Sequence, residues 1–212
     1  MTDAIDCPSL KIMYHTFGCK LNFAETASVA EQFAARGHIR VADGGIPDII
    51  VINSCSVTAE ADRKCRSTIR SLNRRYPAAA VVVTGCYAQL KPEEVAAQPG
   101  VKAVVGVNDK LDIPRIAEEA WLSGSMPPQF PEAKDLREFM PSCSRGDRTR
   151  FFLKVQDGCD YWCTYCTIPK ARGRSRSGSI DDILAQASAA AAAGVNLTLG
   201  VYAYPNSTYH MQ

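Results

Sequence analysis

Pro47-Asp48-Ile49-Ile50-Val51-Ile52-Asn53-Ser54-Cys55 is the stretch on which the fold turns. Branched apolar residues in an unbroken run, introduced by proline and closed by polar residues, read as a strand buried on both faces, the mark of a parallel sheet with helices on either side. A cysteine follows at once. Ala80-Val81-Val82-Val83-Thr84 repeats the pattern and runs into Gly85-Cys86, and Lys11 to Thr16 reads as a further strand, with Cys19 in the loop Phe17-Gly18-Cys19-Lys20-Leu21-Asn22 after it.

Helical segments alternate with these strands. Asn22 with Glu25 reads as a capping pair for a helix to about Arg36, ended by Gly37, and a short strand follows near His38 to Val41. Thr58 caps a helix from Ala59 to Tyr76 whose exposed face is basic, and Pro77 stops it. Pro92-Glu93-Glu94-Val95 opens a short helix, Val101 to Val105 gives a strand, and Asp112 to Leu122 a closing helix. The alternation predicts an α/β domain over residues 1–122, built on a doubly wound, mostly parallel sheet. Ligands gather at the carboxyl ends of such strands. Cys19, Cys55 and Cys86 all fall there, so the topology should bring them to one rim, either as a three-thiolate iron–sulfur site or as small residues packed at strand ends.

Residues 123–148, rich in proline and small polar residues, read as a linker, and residues 149–212 as the start of a second domain. That domain opens with a strand from Phe151 to Gln156 and then Gly158-Cys159-Asp160-Tyr161-Trp162-Cys163-Thr164-Tyr165-Cys166. Three crowded cysteines supply three corners of a 4Fe-4S cube and leave one iron open, to which S-adenosylmethionine (SAM) can bind for radical chemistry. Structural zinc, the other reading, usually takes two separated ligand pairs. Ser179 with Asp182 caps a helix from Ile180 to Ala193, its inner face drawn from Ile180, Ile183, Leu184 and Ala187. Strand, loop and helix together make the first unit of an incomplete β/α barrel, and the tail from Asn196 adds one short strand before losing pattern.

Composition agrees with a globular protein: 46% apolar and 22% charged residues. With no secretory leader and no run of membrane-spanning length, nine cysteines point to a reducing, cytoplasmic setting in which thiols serve as metal ligands before disulfides. Cys7, Cys65 and Cys143 lack ligand-like neighbours and read as ordinary thiols, and His15, His38 and His210 as structural. The net charge of +2 says little, but eight basic residues against three acids between Arg145 and Arg176 give a local +5 suited to a polyanion.

Taken together, Thr16 to Asn22, Asn53 to Thr58, Thr84-Gly85-Cys86, and Gly158 to Cys166 followed by Ile168-Pro169-Lys170-Ala171-Arg172-Gly173 resemble the radical-SAM methylthiotransferases over about residues 8 to 195. Lys20-Leu21-Asn22 resembles the branch acting on threonylcarbamoyladenosine of tRNA rather than those acting on isopentenyladenosine or a ribosomal protein. The resemblance implies two 4Fe-4S clusters, an auxiliary one on Cys19, Cys55 and Cys86 and a SAM-binding one on Cys159, Cys163 and Cys166. It implies that a methylthio group is placed on adenine C2 at tRNA position 37, one SAM methylating sulfur and another yielding the radical. The implied partners are tRNA, an electron donor of flavodoxin type and a sulfur donor, with no membrane. No catalytic side chain is assigned. Because the tail after Val195 departs from the family's barrel, the chain is expected to be C-terminally truncated and inactive alone.

Overall fold

A computed structural model describes residues 7–124, 139–143, 151–192 and 197–200. The first part runs β1 (Lys11–Thr16), α1 (Lys20–Ala35), β2 (Ile39–Arg40), β3 (Ile49–Ser54), α2 (Ala59–Arg75), β4 (Ala80–Gly85), α3 (Cys86–Leu90), α4 (Pro92–Ala96), β5 (Val101–Val105), a 3-10 turn (Asn108–Asp112) and α5 (Ile113–Ser123). Its five strands are parallel in the order β2-β1-β3-β4-β5, with Ile12 opposite Ile49 and Ile49 opposite Ala80.

The two-residue period of a strand divides the apolar runs between two cores. Ile49 and Val51 pack with Val29 and Phe33 of α1 and with Ile113, Ala117 and Ala120 of α5. Ile50 and Ile52 pack on the other face with Cys65, Ile69 and Leu72 of α2, Tyr87 and Ala88 of α3, and Val95 of α4. Each such side chain contributes about 1.5–3 kcal/mol by leaving water, which is why four consecutive apolar residues commit this stretch to the middle of the sheet. The expected doubly wound sheet is therefore present.

Most element ends follow their local signals. Thr58 Oγ1 accepts from the Ala61 amide at 3.1 Å and caps α2. The Asn22–Glu25 reading is corrected: α1 begins after Cys19 with no side-chain cap, and both residues lie inside the helix, fully buried and committed elsewhere. The short helix α3 directly after β4 was not anticipated; it begins at Cys86 itself.

The second part comprises β6 (Phe151–Lys154), β7 (Gln156–Asp157), α6 (Ile168–Arg172), β8 (Arg176–Ser177), α7 (Ile180–Ala192) and β9 (Leu197–Gly200). β6 and β9 pair in parallel across α7, a β-α-β step of the kind from which barrels are built. Ser179 Oγ accepts from the Asp182 amide at 3.1 Å, the expected cap of α7. Its inner face is narrower than expected: Ile183, Ala187 and Ala190 pack with Leu153 and Cys143, while Ile180 and Leu184 are 76% and 57% exposed. A single helical stripe finds cover on the strands described here.

The expected linker ends in ordered chain. Met140 joins the core beneath α1 and α5, and Cys143 bridges Leu153 of β6 in antiparallel fashion. Residues 125–138 and 144–150, with Arg145, Arg148 and Arg150, lie outside the described residues, as do His210 and the tail beyond Gly200.

Candidate metal and cofactor site

Strand order 2-1-3-4-5 reverses direction of winding between β1 and β3, and the crevice at such a switch point is where open α/β sheets bind ligands. Cys19 directly precedes α1 and Cys55 follows β3 by one residue, so the two thiols flank that crevice; Cys86 follows β4. Gly18 packs so closely on Cys55 that a Cβ there would lie 2.6 Å from its Cβ and 2.7 Å from its Sγ. Burial pushes the Cys55 thiol above its usual value, and the nearby Cys86 and Cys19 push in the same direction, against the Val57 amide and Arg172.

The donor set fits an iron–sulfur group by its chemistry: three thiols at one rim, with Cys19 and Cys86 within electrostatic reach of Cys55. No three His, Cys, Asp or Glu side chains among the described residues stand close enough to share one metal ion. Any group bridging the trio must itself span the gap between the sulfurs.

Cys159, Cys163 and Cys166 occupy the loop that leaves β7 and returns to β8. The ladder of β7 and β8, Gln156 opposite Ser177 and Asp157 opposite Arg176, closes its base. Gly158 sits at φ +71°, with the Gly173 and Arg174 backbone where a Cβ would be, and the Cys159 amide donates to Gly173 O at 3.1 Å. The Cys166 amide donates to Cys163 O at 3.0 Å, turning the chain back on itself. Cys163 is exposed, as are Tyr161, Trp162 and Tyr165 at 57–71%.

The two cysteine sets are neighbours. Thr167 Oγ1, one residue after Cys166, donates to the carbonyl of Ser56, one residue after Cys55, at 3.2 Å. Arg172 Nη2 donates to Asn22 Oδ1 at 2.7 Å, and Asn22 Nδ2 in turn donates to Phe17 O and Ser54 O at 2.8 and 3.0 Å. Arg172 also donates to Glu25 at 2.9 and 3.2 Å and to Asp157 Oδ1 at 3.0 Å, Lys154 reaches Glu25 at 3.0 Å and Asp157 at 2.7 Å, and Lys110 pairs with Glu25.

Burial alone would raise the pKa of Glu25, but Arg172, Lys110 and Lys154 outweigh it and hold this carboxyl well below the usual range. Asp157 is likewise held at about 2, against its burial, chiefly by Arg172 and Lys154.

These contacts revise the basic run between Arg145 and Arg176. Lys154 and Arg172 are buried in the ion network and Arg176 Nη2 reaches Asp157 at 3.3 Å, while Lys170 and Arg174 face solvent. The network residues were not singled out from sequence. One signal was legible: Lys154 interrupts the apolar run Phe151-Phe152-Leu153-Lys154-Val155, and a charged residue buried in a strand needs a partner.

Elsewhere, Cys65 is fully buried, and burial pushes its thiol up to about 12, as an ordinary core thiol requires. His38 is buried between the Leu10 amide and Glu118, a structural histidine as expected. On the far side of β1, Tyr14, His15, Arg40, Thr68, Ser71 and Arg75 line a cleft of about 660 Å³ beside the basic face of α2.

Residues 11–106 match the profile of the uncharacterized protein family UPF0004. The chain is 39% identical, over 83% of its own length and 40% of the relative's, to the threonylcarbamoyladenosine tRNA methylthiotransferase MtaB of Bacillus subtilis, and 37% identical over 84% and 44% to that of Aquifex aeolicus. Along most of its own length the chain is similar to methylthiotransferases. A tRNA-2-methylthio-N6-dimethylallyladenosine synthase of Sphingopyxis alaskensis is 34% identical over 85% of this chain and 41% of its own. The chain thus spans about two fifths of the length of these methylthiotransferases. In fold it resembles TsrM, a radical S-adenosylmethionine methyltransferase of Kitasatospora setae, at TM-score 0.58 and 14% identity, over 90% of this chain and 47% of that one. No helix among the described residues is long and apolar enough to cross a membrane.

Proposed function

We propose that the chain is the amino-terminal part of a cytoplasmic tRNA methylthiotransferase acting on C2 of N6-threonylcarbamoyladenosine at position 37. Cys159, Cys163 and Cys166 would hold the 4Fe-4S cluster that binds SAM, and Cys19, Cys55 and Cys86 the auxiliary one. Residues 1–122 are assigned to the methylthiotransferase domain, 123–148 to the linker and 149–212 to the start of the radical-SAM domain. The single observation that carries this reading is the adjacency of the two cysteine sets, tied together where the Thr167 hydroxyl donates to the Ser56 carbonyl.

When bound, the two clusters and SAM would supply reductive radical formation and sulfur for transfer. The chain's own residues supply placement. The β7–β8 ladder closes the cysteine loop, the switch point of the sheet presents Cys19 and Cys55, and Asn22 ties the loops after β1 and β3 to Arg172. The basic face of α2, with Arg63, Lys64, Arg70, Arg74 and Arg75 exposed, and the cleft lined by Arg40 and Arg75 are of the charge a tRNA backbone needs. A flavodoxin-type protein is the proposed electron donor, with a separate sulfur donor. Because the chain spans about two fifths of the length of the methylthiotransferases it matches, the 212 residues alone are expected to bind iron without methylthiolating tRNA.

Anaerobic reconstitution tests the reading. The parent should take up iron and sulfide for two four-iron clusters, and replacing either cysteine trio with alanine should halve that content. Zinc without visible absorption, or content unchanged by both replacements, would refute it, and robust methylthiolation by the isolated chain would refute the expected inactivity.

A further inference from the structure

Glu25 of α1 and Lys110 of the 3-10 turn belong to the first part of the fold, and Lys154, Asp157 and Arg172 to the second, yet their side chains form one buried cluster. Their side chains are 0–4% exposed. Partners for Arg172 lie 147 residues away at Glu25 and 150 away at Asn22, so folding has to assemble the group from both halves of the chain. Buried charge is tolerated only when paired, and here three buried cations, with Arg176 reaching Asp157 from the edge of the group, meet two carboxylates. The cations outnumber the carboxylates, and the surplus is positive. Arg172 lies within electrostatic reach of both Cys55 and Cys86, and α6, which ends in Arg172, packs on α3, which begins with Cys86.

We infer that Glu25 and Arg172 form a charged clamp that seats α6, and with it the Cys159–Cys166 loop, against the rim carrying Cys19, Cys55 and Cys86. The surplus positive charge of the clamp is matched by an anionic group held at that rim. A four-iron cluster on three thiolates is such an anion, so the charge match rests on the proposed function, while the clamp does not. A guanidinium suits the position because its planar fork makes four bonds, two to Glu25 and one each to Asp157 and Asn22, where an ammonium has three donors. These are positioning residues. A cation beside a cluster favours its more anionic, reduced state and raises its potential.

The clamp is tested on the metal-free chain. Arg172→Lys keeps the charge and loses the fork. Amide exchange at Ala171 and Gly173, bonded to Thr167 O and Pro169 O, should quicken at least tenfold, with Val51 and Val82 in the central strands unchanged. Unchanged exchange at Ala171 and Gly173 overturns the clamp.

The charge match is tested after anaerobic reconstitution with iron and sulfide, in a background with Cys159, Cys163 and Cys166 replaced by alanine, by a potentiometric titration followed by electron paramagnetic resonance. Glu25→Gln should raise the potential, Lys110→Met should lower it, and the double variant, which keeps the parent's net charge, should return it to the parent value. Should Glu25→Gln alone fail to fold, Lys110→Met against the double variant carries the comparison. Shifts of one sign, or none, overturn the charge match. A parent that takes up no iron at this rim defeats the proposed function and the charge match together, and leaves the exchange result to decide the clamp.

Discussion

Gly18 shows how closely the rim is built. Its φ of +95° lies where a side chain is strained, and the space a Cβ would take belongs to Cys55. Gly18→Ala should cost about 1–3 kcal/mol and displace Cys55 or the loop before Cys19. Reconstituted protein should then lose iron from the Cys19, Cys55 and Cys86 site before the other; equal retention at both would contradict this. Asn22 and Glu25 carry a different lesson. Three residues apart after a loop, they match a capping pair, but the helix begins two residues before Asn22, and both side chains turn inward to partners supplied by β3, the 3-10 turn, β6 and α6.

Among the elements, α2 is held by its own local signals. Thr58 bonds the Ala61 amide, Glu60 and Asp62 occupy its first turn and Arg74 and Arg75 its last, all favourable to the helix dipole. Thr58→Ala should therefore cost about 1 kcal/mol, read as a lower urea midpoint with an unchanged slope, and should leave iron content alone. Helix α6 is the opposite case. It is five residues long, too short to hold itself, and its place is set by Thr167 on Ser56 and Arg172 on Glu25 and Asn22.

For the molecule as a whole, two buried carboxyls join distant segments. Glu25 is held well below its ordinary 4.5 by Arg172, Lys110 and Lys154 against its burial. Glu118 of α5 is also held low against its burial, by Arg36 and His38. In both, the unfolded chain takes up protons at a pH where the fold still resists them. The stability they contribute is complete above about pH 4.5 and is lost as pH falls through the folded values. Thermal midpoints of the metal-free chain should fall as these carboxyls protonate below about pH 5, on top of an earlier fall below about pH 6.5 from His15, whose burial holds its imidazole below the usual value. In Glu118→Gln the fall should be shallower, and a curve identical to the parent's would contradict the assignment.

Much of this architecture is determined by the sequence alone. Unbroken apolar runs have no stable place except between two layers of helices, and cysteines directly behind them must then stand at one edge of the sheet. The loop from Cys159 to Cys166 is equally local, since Gly158 and the spacing of the thiols are properties of nine residues. Only the tertiary structure decided the charges. The apolar run around Lys154 signals that it needs a partner, but no local pattern names the carboxylate, which for Lys154 and Arg172 comes from 129 and 147 residues away. A buried charge is stabilised by the partners that folding brings to it, so its role is settled only once the two parts of the chain meet.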